Sequence, residues 1–585
     1  MSLNIIGISA HYHDAACCIL QDGVLTAAVQ EERFTRKKND SRLPESAFLY
    51  CLEEASLSIT DIHCIAYYEE PVKKLARQLW SGNKNIDFAT FLNRDPNFVE
   101  KQLRNRLGYE GPIHYYSHHL SHAASSYYYS GFTNAATLTV DGVGEWATTT
   151  YGIANGKDLS LFEEVVFPDS IGLLYSAITS YLGFSVNSGE YKVMGLAPYG
   201  EARFADKIRE MIISGPDGQY QLDLRYFEFL EGNKMYSSLL EELLGVAARK
   251  KDTKILQVHT DIAKSLQVVL EEILLEKAIY LHEKTGMENL CMAGGVALNC
   301  VANSRILKDG PFKKLFVQPA AGDAGCCLGA AALAHVSLSG EWMERRLEHV
   351  YLGPAYGENS IRPLLDAAGL KHQDFTGRED ELLRQTAEKI AEGKVIGWFH
   401  GRLEFGPRSL GARSILADPR NPEMRDRINA MVKLREAFRP FAPAILVTEA
   451  GKFFDIDHAS PFMLETCQVI ADIALPAITH VDGSARVQTV TRETNAWFAG
   501  LLQAFYEITG CPVLLNTSFN VRDMPIVCSP EDALACFITT NIDCLVLENF
   551  FLEKEDLDAG ITDLISSIIL EKTLPELSPN VYTFI

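Results

Sequence analysis

The sequence predicts an α/β protein of two domains, the first of them built on a duplication. Three observations lead there. A single hydrophobic core rarely grows past about 300 residues, and this chain has 585. A strand–turn–strand–turn–strand pattern occurs twice, once from Asn4 and once from Ala135. Beyond each copy, strand-like and helix-like periods alternate, the mark of α/β architecture.

The elements follow in order. Asn4–Ser9 is an apolar strand, His11-Tyr12-His13-Asp14 a polar turn, and the next run ends at Leu20. Gln21-Asp22-Gly23 is a hairpin turn into Val24–Gln30. The same grammar returns as strand Ala135–Val140, turn Asp141–Glu145, strand Ala147–Ile153, turn Ala154–Lys157 and strand Leu159–Val166. In both copies the first turn is polar and suits a ligand-facing position. Between the copies, Ser46–Glu54 reads as a helix, Ile62–Tyr68 as a strand and Lys73–Asn105 as a largely helical insert. Val193–Gly200, after Gly189-Glu190-Tyr191-Lys192, reads as a glycine-rich polar loop. Ile255–Lys284 is a long amphipathic helix. A strand at Asn289–Met292, a Gly294-Gly295 turn and a helix from Val296 through Asn299 to about Leu307 come next. Leu315–Gln318 is a strand, and a small-residue helix follows to about Ala334. The pattern weakens over Ser337–Asp374, which places a boundary there, with domains at 1–350 and 351–585. A helix from Glu379 to Glu392, stopped by Gly393, and a strand at Lys394–His400 open the second domain.

Composition narrows the function. At 47% hydrophobic and 22% charged residues the chain is globular, and no run reaches the ~18 apolar residues of a membrane helix. A net charge of -22 argues against non-specific nucleic-acid binding and against an anionic membrane surface. Thirteen scattered cysteines without C-x-x-C, and an N-terminus without a signal pattern, point to reduced thiols in the cytoplasm.

Four features carry chemistry. In Ser117–Ser126, SHHLSHAASS, a helix would put His118 and His122 on one face, roughly 5–6 Å apart at Cβ. Such a pair can hold one metal ion, or can be two hydrogen-bonded histidines in a buried helix. Asp141 lies in a turn after a strand, and Asp323 at a strand end beside a helix start, where it is a ligand or an N-cap. The Gly294-Gly295 turn before a helix offers free N–H groups that suit a phosphate. Arg402–Arg439 carries nine Lys/Arg against five Asp/Glu, a basic island in an acidic chain, which suits a small anion or a solvated face. Lys433 and Arg435 are two apart, so an extended segment would point both one way. Asn516–Asn520 follows the apolar strand Pro512–Leu515 and offers hydroxyls and amides beside such cations.

These motifs together resemble the O-carbamoyltransferases of the nodulation-factor and antibiotic-biosynthesis type. The resemblance rests on HDAA at His13, EERFTRKK at Glu31–Lys38, SHHLSHAASS, VDGVGE at Asp141, MAGGVALN at Met292–Asn299 and GDAG at Gly322. It continues in GRLEFGPRSLG from Gly401, KLREAFRPFAP from Lys433, HVDGSARVQTV from His480 and NTSFN, and so covers nearly the whole chain. It departs mildly at Ser409, where alanine is usual, and at Arg522-Asp523-Met524, where a Gly-Glu pair is common. It implies a duplicated actin-like ATPase domain, similar to threonylcarbamoyladenosine synthase, followed by a YrdC-like domain. The second domain would make carbamoyl adenylate from carbamoyl phosphate and Mg-ATP. The first would pass the carbamoyl group to a hydroxyl of a small-molecule acceptor.

The resemblance also assigns residues. His118, His122, Asp141 and Asp323 match metal ligands, usually for iron(II), although the donor set alone admits another divalent metal. Asp141, Gly172, Gly294, Gly295 and Asn299 match nucleotide contacts, and Lys38 a phosphate contact with a catalytic role. His13 matches the histidine that helps deprotonate the acceptor, with a plain turn histidine as the alternative. Arg408, Lys433, Arg435, Arg439, Arg486, Ser518 and Asn520 match the carbamoyl phosphate and ATP pocket. No nucleic-acid or membrane partner is expected, and a homodimer is compatible with the pattern. Two rivals share parts of the architecture: a tRNA threonylcarbamoylation enzyme, which needs a large basic surface, and a non-enzymatic actin-like ATPase scaffold.

Overall fold

The computed structural model describes residues 2–81, 95–230, 234–343, 345–433 and 438–557. The chain divides into two compact units. The first holds the described residues up to Glu31 and from Asn39 to Leu347; the second holds Glu32–Lys38 and the described residues from Glu348 to Leu557. Division of the chain is therefore not a single cut: Glu32–Lys38, all but the first residue of EERFTRKK, leaves the first unit and packs within the second.

Two five-stranded sheets form the first unit. Strands β1 (Asn4–Ser9), β2 (Ala16–Gln21), β3 (Val24–Gln30), β4 (Cys64–Tyr67) and β5 (Ile113–Tyr115) pair in the order β3-β2-β1-β4-β5. Strands β6 (Asn134–Val140), β7 (Ala147–Asn155), β8 (Asp158–Val166), β9 (Asn289–Ala293) and β10 (Lys314–Val317) pair in the order β8-β7-β6-β9-β10. Strand senses match as well. β1–β2 and β6–β7 are antiparallel; β1–β4, β4–β5, β6–β9 and β9–β10 are parallel. The expected repeat is thus present in sheet topology.

Of the helices, α1 (Glu45–Glu54) and α2 (Pro71–Trp80) follow the first three strands. Helix α3 (His118–Tyr127) follows the last strand of the first sheet and packs on β6 and β9 of the second. Three further helices come in turn, α4 (Ile171–Tyr181), α5 (Glu190–Leu196) and α6 (Gln257–Thr285), with α7 (Cys300–Asp309) after β9. Helix α8 (Asp323–Ser339) follows the last strand of the second sheet and packs on β1, β2 and β4 of the first. The crossover puts α3 against α8 at the centre. A Cβ on Gly329 would collide with the Ser121 carbonyl, so the absent side chain sets how closely the two helices approach.

Several expectations shift. Val193–Gly200 is not a loop: α5 covers its first half and a 3-10 turn, Ala197–Tyr199, follows, because the Glu190 carboxylate collects the Asn187 and Gly189 amides (3.0 and 3.1 Å) and starts the helix. The helix expected through Asn299 breaks there. A 3-10 turn, Gly295–Leu298, comes first, and the Asn299 side chain then caps α7 by accepting from the Ala302 amide at 3.0 Å. Of the insert at Lys73–Asn105, α2 and a helix at Phe98–Leu107 are described and 82–94 lie outside the described residues.

The second unit is built on a mixed eight-stranded sheet. Its strands are β11 (Gln373–Asp374), β12 (Ile396–Phe399), β13 (Arg413–Ala417), β14 (Ala442–Leu446), β15 (Gln488–Val490), β16 (Val513–Ser518), β17 (Cys544–Leu547) and β18 (Phe550–Glu553). They pair in the order β11-β18-β17-β12-β13-β16-β14-β15. Helices α9 (Glu379–Ala391) and α10 (Ala496–Thr509) pack together, and Trp398, Phe399, Ile415, Leu514 and Phe519 are among the core residues.

Candidate functional site

Equivalent places in the two halves of the first unit supply the central cluster. The turn after β1 carries His13 and the turn after β6 carries Asp141. The helix after β5 carries His118 and His122, and the helix after β10 carries Asp323. One donor atom from each of His118, His122, Asp141 and Asp323 lies within 4.8 Å of all the others. All four side chains are buried. Asp141 Oδ2 is 3.1 Å from His118 Nε2 and 3.5 Å from His122 Nε2; Asp323 Oδ1 is 3.7 and 3.8 Å from the same two atoms. Asp141 Oδ1 accepts the Gly295 amide at 2.9 Å, which joins the cluster to the glycine turn.

The N-cap alternative for Asp323 does not hold. Gly322 takes the cap position, and both Asp323 oxygens are buried without a hydrogen-bond partner. A buried carboxylate left this way costs at least about 1–3 kcal/mol. A divalent cation among two imidazoles and two carboxylates removes that cost, and the nitrogen and oxygen donors fit one. His119, between the pair, faces elsewhere and hydrogen-bonds Thr139 Oγ1 at 2.6 Å. Burial opposes charge on His118, but Asp323 and then Asp141 outweigh it and push the imidazole up to about 9. The hydrogen bond from His118 and the charge of both imidazoles outweigh burial at Asp141 and hold its carboxyl well below the usual range.

His13 stands beside the cluster, its Nε2 3.9 Å from Asp323 Oδ2 and its Nδ1 3.1 Å from Asp14 Oδ2. The turn holding it is sharply bent, with His11 and Asp14 at φ 67° and 54°. Against burial, the charges of Asp323 and then Asp14 push His13 up to about 10. Beside unneutralised carboxylates it is therefore a proton donor, and base character requires a neighbouring positive charge. Glu145 went unremarked in the sequence, although VDGVGE contains it. Its two oxygens accept the His118 amide at 2.9 and 3.1 Å, and Oε1 also takes the Glu70 amide at 2.8 Å, so it fixes the start of α3.

The predicted nucleotide residues gather at the same end of the first unit. Gly294, at φ 96°, passes so close to the Val140 carbonyl that no side chain fits. Gly172 likewise lies against the Asp141 carbonyl. Asn299 exchanges two 3.0 Å hydrogen bonds with Gln267 besides capping α7. Lys38 is exposed, in a turn of the segment that belongs to the second unit.

In the second unit, sheet register gathers the cationic candidates. Strands β13, β16, β14 and β15 are neighbours, with Ser414 opposite Ser518, Ala442 opposite Asn516 and Ala444 opposite Gln488. Arg408 therefore precedes β13, Arg439 precedes β14, Arg486 precedes β15, and Ser518 with Asn520 ends β16, all at one end of four adjacent strands. Ser518 donates to Asn520 Oδ1 (2.8 Å) and Asn520 donates to the Met524 carbonyl (2.6 Å). Asn516, expected beyond the strand, lies within it and bonds Gln488 at 2.8 Å. Glu404, also unremarked in the sequence, anchors the loop that carries Arg408: one oxygen accepts the Leu410, Ala412 and Arg413 amides at 2.7, 2.7 and 3.2 Å. Arg33 donates to the Gly406 carbonyl (2.7 Å) and Arg36 to Ile526 and Pro525 (2.6 and 2.9 Å), which explains why that segment packs here. Asn429–Lys433 is a π-helical turn, and the side chain of Lys433 and all of Arg435 lie outside the described residues.

A family profile described as "Carbamoyltransferase N-terminus" matches residues 4–332, and one described as "Carbamoyltransferase C-terminus" matches 387–554. The chain belongs to the carbamoyltransferase family. This carbamoyltransferase is 43% identical to an uncharacterized protein of Synechocystis, sll1178, over 94% of this chain and 97% of that one. It is 39% identical to nodulation protein NolNO of Sinorhizobium fredii, over 93% of this chain and 79% of the other. With nodulation protein NolO of Bradyrhizobium diazoefficiens it shares 41% identity over 75% and 79%. It is an enzyme of the carbamoyltransferase type. Among the described residues no helix is long and apolar enough to cross a membrane.

Proposed function

We propose that this carbamoyltransferase joins two half-reactions, one per unit. The second unit, read as YrdC-like and spanning about 351–585, takes carbamoyl phosphate, water and ATP. Loss of phosphate leaves carbamate, whose oxygen attacks the α-phosphorus of ATP; pyrophosphate leaves and carbamoyl adenylate remains. The cations at the strand ends, Arg408, Arg439 and Arg486 with Lys433 and Arg435, hold the phosphates, and Ser518 and Asn520 orient them. Mg would accompany ATP.

The first unit, read as actin-like, takes the adenylate. A hydroxyl of a small-molecule acceptor attacks the carbamoyl carbon, the bond to the adenylate oxygen breaks, and AMP leaves. His118, His122, Asp141 and Asp323 would hold a divalent ion, which the family resemblance makes iron(II). When bound, such an ion supplies positive charge that steadies the departing phosphate. Gly172, Gly294, Gly295 and Asn299 shape the nucleotide turn, and the Gly295 amide, shared with Asp141, links the two. Lys38, on the segment that belongs to the second unit, is the phosphate contact that the resemblance assigns. His13 moves the acceptor proton, since it stands at the cluster edge with one nitrogen fixed by Asp14. Thirteen free cysteines suit a reducing compartment, the cytoplasm.

The observation that carries this reading is the buried Asp323 carboxylate, left without a hydrogen bond beside two imidazoles and Asp141. The test is His118→Ala. It should lose bound metal and transfer to an acceptor while still releasing pyrophosphate from ATP in the presence of carbamoyl phosphate. Metal content equal to that of the unmodified enzyme would overturn the ligand set.

A further inference from the structure

One buried group beside the cluster has no part in the scheme above. Cys326 is fully buried, and its Sγ lies within 4.8 Å of a ring nitrogen of His118 and of His122, which are likewise that close to each other. Its place follows from the packing of α8 on α3. Asp323, Cys326 and Gly329 recur every three residues, so they share one face of α8. Gly329 closes that face onto α3 at Ser121, which brings the residue one turn earlier up to the histidine pair. A second observation is independent of the cysteine. Only the His118 Nε2 is hydrogen-bonded, to Asp141 at 3.1 Å; its Nδ1 and both ring nitrogens of His122 are buried without a hydrogen-bond partner. The aspartates therefore do not exhaust the donor capacity of the pair.

We propose that His118 and His122 serve a second, overlapping metal site, completed by the thiolate of Cys326 and selective for thiophilic cations. Two imidazoles and a thiolate prefer ions such as Zn(II) and Cd(II), whereas two imidazoles and two carboxylates also take harder ions such as Mn(II). Binding exchanges the Cys326 thiol proton for the metal and releases that proton to solvent, with no change of oxidation state. The two sites share both imidazoles, so two divalent cations there would lie close enough to repel, and occupation of one opposes occupation of the other. A thiophilic ion would thereby displace the ion held by the aspartates and stop transfer. That last consequence rests on the function proposed above; the binding itself does not.

The test uses the full-length enzyme stripped by a chelator and titrated with Cd(II) alone. The spectrum of the unmodified protein minus that of Cys326→Ser should show thiolate-to-cadmium charge-transfer absorption that saturates as a single site. Subtraction cancels the remaining cysteines. Cys326→Ala repeats the comparison without a hydroxyl, and the melting temperature of each metal-free variant reports whether it is folded. Mn(II) binding, read from the paramagnetic resonance of the free ion, should stay within about twofold in Cys326→Ser. Absence of the difference band overturns the proposal. So does a loss of Mn(II) affinity beyond that range, which would mean that Cys326 serves the carboxylate site. A Mn(II) site that survives His118→Ala would overturn the four-residue centre instead and leave the Cys326 difference band to be judged separately.

Discussion

Glu404 shows how much a single carboxylate can organise. Three amides converge on one of its oxygens, and they belong to the loop that delivers Arg408 to the end of β13. Arg402 fastens the same loop by donating to the Leu352 and Gly353 carbonyls at 2.6 and 3.2 Å. Glu404→Ala leaves three buried amides without their acceptor, and should destabilise the second unit by about 2–4 kcal/mol in urea unfolding. Pyrophosphate release should fall with it, because the arginine loses its platform.

A second residue of this loop region sets a pH dependence. Burial raises Glu548 from 4.5 to about 7, although the Gly401 amide bonds its carboxyl at 2.7 Å and Arg413 opposes the rise. Between those values the folded state keeps a proton that the unfolded chain has lost. Its contribution is therefore present below about 4.5 and lost as pH rises through about 7. The second unit should lose stability over that window, by at most about 3 kcal/mol from this group. Glu548→Gln should flatten the change, as read by melting temperature at several pH values.

At the scale of elements, α3 and α8 pack directly against each other at Gly329. The cluster takes both histidines from one and Asp323 from the other, so their spacing sets the donor distances. Gly329→Ala inserts a methyl group where the Ser121 carbonyl already sits. It should cost about 1–3 kcal/mol in stability. Metal affinity should fall more than the stability loss alone explains, because the helices part at the residue that sets their contact. Isothermal titration with a divalent ion, alongside thermal unfolding, separates the two effects.

Over the whole molecule, the prediction concerns division of labour. Arg408→Ala should abolish pyrophosphate release with carbamoyl phosphate and ATP. Supplied with preformed carbamoyl adenylate, the same variant should still transfer to an acceptor. His118→Ala should behave the opposite way. Two variants that fail in both assays would show that the half-reactions are not divided as proposed.

Much of this was legible in the residues, and the reason is local. The strands of both repeats are short apolar runs bounded by turn residues, so Asn4–Ser9 and Val24–Gln30 could be read from the string and reappear unchanged. The histidine pair was legible because four-residue spacing on a helix is a local property. Asp323 was legible as a ligand only through the family resemblance, since its own surroundings in the string read equally as a helix cap until the opposing helix is in place. The roles of Glu145 and Glu404 were not legible, since their amide partners come from backbone that folding brings near. What the string determined alone was strand, turn and donor chemistry. What only the tertiary structure decided was which donors share a site. Sheet register and helix crossing bring together residues far apart in the chain, and no local pattern encodes that distance.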